Sequence, residues 1–252
     1  MRNDIITNTL NIPIKENGNM RVYVAKPDRP GKFPLVLIGM EIYGVNDNIK
    51  DVANRVAGLG YVAVAMDFYH RTSPGVVFSS AEREKALELV FQLRRDEVIY
   101  DIRTAIDFFK KRNEITEKVG FLGISIGGHL AYLAAARLPI TATVVLYGTL
   151  LTNPDVTLGQ PEPTVQLTAE IAKRNGKILF FVGSLDHMVT PDQVEHIRAE
   201  LEETNTVHEV IVYPGAKHRF FNDSLPEFYD RAASNDAWSK IVRFFNRELV
   251  SK

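Results

Sequence analysis

Residues Gly123–Gly128 read GISIGG, with VGFL (Val119–Leu122) before them and HLAYLAAAR (His129–Arg137) after. The run before is a continuous apolar stretch of strand length, and the run after is helical until Pro139. Three glycines in six residues weaken either kind of element. The chain is therefore forced through a tight corner here, or something approaches its backbone closely. A Gly-x-Ser-x-Gly corner between strand and helix satisfies both conditions. It lifts a serine hydroxyl above a sheet, and glycines on either side keep side chains out of the way. Ser125 is the candidate nucleophile.

Outward from this corner, strand-like and helical stretches alternate. DIITNTLNIPI and MRVYVAKP, around a turn at KENGN, read as two short strands. FPLVLIGM, YVAVAMDFY, KVGFLGI, TATVVLYG, KILFFVG and HEVIVYPG read as buried strands. Helical spacing runs through Ile49, Val52, Ala53, Val56 and Leu59 and stops at Gly60. It returns in AEREKALELVFQLRRDEVIYDIRTAIDFFKKRN, as two helices or one bent one, in PDQVEHIRAELEET and in DAWSKIVRFFNRELV. Apolar strands joined by helices predict an α/β fold, a mostly parallel sheet covered on both faces. The prediction is one domain over residues 1–252, with 149–176 as a lid or rim segment.

Composition narrows the chemistry. The 252 residues include 45% hydrophobic side chains, enough for a large core, and carry a net charge of −1. That charge argues against nucleic acid or an anionic membrane as a partner. There is no cysteine, which removes disulfides, thiolate metal sites and a cysteine nucleophile. No apolar run approaches the roughly 18–20 residues of a membrane span. The N-terminal stretch lacks the apolar core of a secretion signal. A cytoplasmic protein, monomer or homodimer, is the expectation.

In a parallel sheet, ligands bind beyond the carboxyl ends of the strands. Ser125, Asp186 and His218 each follow a predicted strand, in that order along the chain. A serine hydroxyl needs an imidazole to take its proton, and the imidazole needs a carboxylate to fix its tautomer. His129, one turn after Ser125, reads as a packed or capping residue. The backbone N–H groups of Ile126, at the helix start, and Ile42, after FPLVLIGM, are the candidate oxyanion donors. GISIGGHL matches neither nucleotide-binding glycine motif, and metal-ligand spacings such as HExxH are absent. Neither cofactor nor metal is expected.

MEIYGVN, DFYHR, GISIGG, GSLDHMVTP and YPGAKHRFF, in this order, resemble the dienelactone hydrolase family of α/β-hydrolases. The resemblance implies the same triad, a glutamate inside the site at Glu41, and an arginine at Arg71 that helps hold a substrate carboxylate. Glu41 is then a second acid/base or a structural partner of Arg71 or a backbone amide. Two features depart from the family's best-known members. Those use cysteine where this chain has Ser125, and they carry a further arginine where it has Phe221 and Asn222. Arg219, beside His218 on an extended segment, is expected to point away.

The function expected is serine-dependent hydrolysis of a small carboxylic ester or lactone. Tyr43, Tyr69 and the 149–176 segment are expected to wall the pocket. Peptide or amide cleavage by the same triad and a non-catalytic binding module are the alternatives. The first lacks a gating domain, and the second has no use for all three triad residues.

Overall fold

The computed structural model describes residues 4–15 and 18–250. Glu16 and Asn17, in the turn expected at KENGN, lie outside them. Eight strands form one sheet in the order β1-β2-β4-β3-β5-β6-β7-β8. β1 (Ile5–Pro13) and β2 (Asn19–Pro27) pair antiparallel, and β2 meets β4 (Val62–Met66) antiparallel. From β4 onward every pairing is parallel, through β3 (Phe33–Gly39), β5 (Ile115–Ile124), β6 (Ala142–Leu146), β7 (Lys177–Leu185) and β8 (Val207–Lys217). This is the mostly parallel α/β sheet expected from the alternation, and it agrees with the α/β-hydrolase fold that the resemblance implies.

Helices cover both faces, which is why β3, β4 and β6 are buried along their whole length. α1 (Asp47–Gly58) and α7 (Arg231–Phe245) share one face, where Arg55 stacks 4.1 Å over the Trp238 ring. The Asn46 side chain caps α1 by accepting from the Ile49 N–H, and Asp230 caps α7 by accepting from Ala232 and Ala233. α3 (Arg95–Lys110) and α4 (Ile126–Arg137) pack on the other face with α5 (Thr168–Lys173). The long helical stretch after Ser80 divides in two. α2 (Arg83–Gln92) ends at Leu93, whose extended backbone breaks the run before α3 begins. α6 (Pro191–Glu203) starts on a capping box between Thr190 and Gln193. Among the described residues no helix is long and apolar enough to cross a membrane.

One strand differs from its reading. HEVIVYPG is not a buried run, because β8 lies at the edge of the sheet. Val207 and Val212 are exposed there, and burial alternates along the strand. What positions the site is the point where the chain reverses direction across the sheet. β3 is followed by β4 on one side and then by β5 on the other, so a crevice opens beyond the ends of β3 and β5.

Candidate active site

β5 runs directly into α4 through Ser125, whose backbone sits at φ 55°, ψ −116°. That region is unfavourable for a residue with a side chain and persists only where the surroundings over-determine it. Here the Ser125 N–H donates to the Leu146 carbonyl at 2.9 Å, and its own carbonyl accepts from Gly128 at the same distance. The glycines allow the crossing. A Cβ on Gly123 would come within 2.0 Å of the Gly127 oxygen, and one on Gly127 within 2.4 Å of the Gly39 backbone. Three strand ends and a helix start thus meet where only backbone fits.

Ser125 Oγ lies 3.1 Å from His218 Nε2, and His218 Nδ1 lies 2.8 Å from Asp186 Oδ2. All three residues are buried. The second Asp186 oxygen accepts from the N–H groups of Met188 and Val189 at 2.8 and 3.0 Å. Held on both oxygens, the carboxylate favours the tautomer with the proton on Nδ1, which leaves Nε2 to accept from the serine. The Tyr147 ring meets the imidazole edge-on, with centroids 4.8 Å apart, and closes its other side. The strands β5, β7 and β8 therefore bring together the three residues read from the sequence.

Ile42 follows β3 and Ile126 opens α4. Among the described residues neither N–H has a protein acceptor, and both residues line the same cavity as Ser125. Tyr69 does not wall this cavity. It is buried behind the loop, and its hydroxyl donates to the Ile42 carbonyl at 2.9 Å. Tyr43 does line the cavity, which has a volume of about 430 Å³. Of the 149–176 segment only Thr149 and Leu150 reach it. The segment is instead tied down against α4. His129 contacts the Thr149 carbonyl at 3.1 Å and the Thr164 hydroxyl at 2.7 Å, and burial pushes its imidazole down to about 4. The outer wall comes from α2, through Arg83, Leu87, Val90 and Phe91. Sequence reasoning missed this wall: Leu87, Val90 and Phe91 share a helical spacing, but that spacing does not say what their face covers.

Two arginines exchange places relative to expectation. Arg71 is absent from the cavity. Its guanidinium forms a forked pair with Asp101 of α3, one arm at 2.6 Å, and the His70 ring lies 2.9 Å from the same carboxylate. α2 stands between, with Leu89 and Gln92 on the Arg71 side. The physical reason is Asp101 itself: a carboxylate only 1% exposed requires a cation. Arg219 is the reverse case. Its φ of 70° breaks the extended alternation, and its side chain turns into the cavity. There the guanidinium lies over Tyr43 at 4.7 Å and Phe228 at 5.8 Å, with Nε 3.8 Å from Glu41 Oε1.

Glu41 is 1% exposed and lines the cavity next to Ile42. Its partner is neither Arg71 nor a backbone amide. Asn222 donates to Oε2 at 3.3 Å, while Oε1 has no hydrogen-bond partner. Burial holds the carboxyl above its ordinary 4.5, opposed in part by Arg219, His218 and Asn222. Among the described residues no group of three or more His, Asp or Glu side chains is spaced to hold a metal ion. The arrangement can deprotonate a serine, hold the imidazolium that results and present two backbone donors near the reacting centre.

Comparison with known proteins agrees with the geometry. The model of the dienelactone hydrolase family matches residues 20–249. A provisionally named carboxymethylenebutenolidase of Synechocystis sp. is 33% identical over 251 residues, covering 98% of each chain. A provisionally named 2-oxo-3-(5-oxofuran-2-ylidene)propanoate lactonase of Bradyrhizobium is 28% identical over 96% of this chain and 95% of its own. The crystal structure of a provisionally named dienelactone hydrolase from Klebsiella pneumoniae superposes with a TM-score of 0.87 at 28% identity, covering 97% of this chain and all of that one. The sheet order, the serine corner and these likenesses agree, and the chain belongs to the dienelactone hydrolase family of α/β-hydrolases.

Proposed function

We propose that the protein hydrolyses a small carboxylic ester or lactone through an acyl-enzyme on Ser125. The carrying observation is the continuous relay from Ser125 Oγ through His218 to Asp186, at 3.1 and 2.8 Å. Ser125 Oγ attacks the carbonyl carbon as its proton passes to His218 Nε2. Asp186 stabilises the imidazolium, and the N–H groups of Ile126 and Ile42 receive the negative oxygen of the tetrahedral intermediate. When the intermediate collapses, the C–O bond to the alcohol breaks and His218 returns the proton to that oxygen. In a lactone the alcohol stays attached to the acyl group. Water then attacks the acyl carbon and gives its proton to His218. Ser125 leaves with that proton, so atoms balance with no cofactor.

The preformed corner also supports serine rather than cysteine chemistry. A serine depends entirely on its base, and here the base is already in contact, oriented and enclosed. Replacing Ser125 with Ala should lower kcat/KM on p-nitrophenyl acetate by about 10⁴-fold or more. A serine-reactive phosphonate should label the wild type and not this variant. Turnover retained by Ser125→Ala would sink the assignment.

A further inference from the structure

The cavity beside Ser125 is unequal in its chemistry. Its charged residues sort into two groups. Arg83 and Glu227 are exposed at the mouth. Glu41 and Arg219 lie inside as a facing pair of opposite formal charge. Arg71, which also follows a strand at this end of the sheet, is bound to Asp101 on the far side of α2. The interior thus offers no cation without a carboxylate beside it.

Against this stands a continuous apolar wall. Leu87, Val90 and Phe91 lie at i, i+3 and i+4 on α2, so they share one helix face. That face lines the cavity together with Ile42, Leu150 and Met188. Single exposed apolar side chains are ordinary. Phe91, however, is 50% exposed as part of a concave wall that includes the nucleophile, and the cavity's 430 Å³ falls within the range of small-molecule sites. Only Ala86 and Val90 of α2 are buried in the core, so most of this helix's apolar surface is directed elsewhere.

We propose that the α2 face formed by Leu87, Val90 and Phe91 is a specificity wall for an uncharged alkyl or aryl arm of the ester. The preferred substrates are then neutral esters with an apolar arm of several carbons rather than compact lactones bearing a carboxylate. This rests on the serine-hydrolase reading above, and the test separates the two.

Initial rates are measured on p-nitrophenyl acetate, propionate, butyrate, valerate and hexanoate, and on ethyl, butyl and hexyl acetate. Each is normalised to its hydroxide-catalysed rate. If the wall accepts the arm, normalised kcat/KM rises in one of the two series by roughly two- to fourfold per methylene, the upper figure being full burial. Phe91→Ser and Leu87→Asn, singly and together, should flatten that slope. The readout is the hexanoate-to-acetate ratio in the acyl series, or the hexyl-to-ethyl ratio in the alcohol series, within each variant, so a general loss of activity or folding does not mimic the effect. Tyr100→Ser removes an exposed aromatic from α3, outside the cavity, and should keep the wild-type slope. Flat or falling profiles in both series, with turnover still dependent on Ser125, would overturn the apolar wall alone. A slope that survives the double substitution would do the same. Turnover of no ester at all, or turnover independent of Ser125, would instead overturn the underlying hydrolase reading.

Discussion

Arg71 and Arg219 both follow a strand at the same end of the sheet, and both face a buried carboxylate. Their surroundings differ in kind. Arg71 forks onto Asp101 with hydrogen bonds to both oxygens, and His70 contacts the same carboxylate. Arg219 has no side-chain hydrogen bond among the described residues. It stands 3.8 Å from Glu41 and presents its flat face to Tyr43 and Phe228. The first pair is closed, directional and remote from the nucleophile. The second is held by stacking and long-range attraction inside the cavity. A forked pair in a dry site contributes to the fold and leaves no donor for a ligand. A stacked guanidinium tunes the field of a site, and here the carboxyl group of Glu41 stands beside it.

The comparison breaks most visibly if the two arginines are removed in turn. Arg71→Gln strands Asp101 with His70 as its remaining partner. The expected cost is about 3 kcal/mol of stability. For a chain of this size that lowers Tm by roughly 6–12 °C. Turnover of a simple ester at a temperature where the variant is folded should stay within about threefold of wild type, since α2 separates Arg71 from the cavity. Calorimetry and kinetics on the same preparation check both halves. A large loss of kcat/KM with an unchanged Tm would mean that Arg71 reaches the substrate after all.

Arg219→Gln should show the opposite balance. It leaves Glu41 uncompensated next to Ile42, where the proposed mechanism develops negative charge in its transition state. A carboxylate without its cation opposes that charge, and a loss of about tenfold in kcat/KM is expected, with a stability loss of about 1 kcal/mol. Adding Glu41→Gln to this variant removes the offending charge and should recover most of the activity. If the double variant is no better than Arg219→Gln, the guanidinium acts by packing against Tyr43 instead.

Glu41→Gln alone gives a smaller effect with a pH signature. The Glu41 carboxyl is held above its ordinary 4.5, so the folded state keeps its proton more tightly than the unfolded chain. Stability is therefore lost as pH rises from about 4.5 through the folded value, and the loss is complete above it. Glutamine carries no such cost. The Tm of Glu41→Gln minus that of wild type should be positive at pH 8 and shrink toward zero at pH 4. A difference independent of pH would mean that Arg219 and Asn222 fully offset the burial of the charge.

These two regions also show what could be read without coordinates. The meeting of Ser125, Asp186 and His218 was legible because each follows a strand of one parallel sheet, so chain order alone brings them to the same end. The serine corner announced itself through Gly123 and Gly127, positions where a Cβ cannot be placed. Arg71 misled because its local motif says nothing of Asp101, thirty residues on. Yet Asp101 interrupts the buried face Val98, Ile102 and Ala105 of α3, and a carboxylate there calls for a cation. Arg219 misled for another reason. Nothing in KHRFF marks a left-handed residue; the positive φ of Arg219 sits in a turn closed by the Asn222 N–H on the Arg219 carbonyl at 2.9 Å, with Phe220 and Phe221 buried beside it. α2 was read correctly as helix, but the cavity it walls depends on which strand ends it covers. That is a tertiary property, and periodicity does not carry it.

Tyr69 offers the finest division between fold and site, because one hydroxyl joins them. It lies two residues before Arg71 and is equally outside the cavity, yet its hydroxyl donates to the carbonyl of Ile42 at 2.9 Å. That bond fixes the peptide following Ile42 and, through it, the aim of the loop that carries the Ile42 N–H. Its own backbone is fixed in turn, since the Tyr69 N–H donates to Asp67 at 3.0 Å. Tyr69→Phe keeps the ring and removes only the donor, leaving the Ile42 carbonyl short of a partner. A stability loss of about 1 kcal/mol is expected from that group alone. In the proposed mechanism a loosened donor acts on the oxyanion and not on the bound ester, so kcat should fall roughly three- to tenfold with KM little changed. If KM rises while kcat holds, the loop shapes binding rather than the transition state, and the second oxyanion donor must be sought elsewhere than at Ile42.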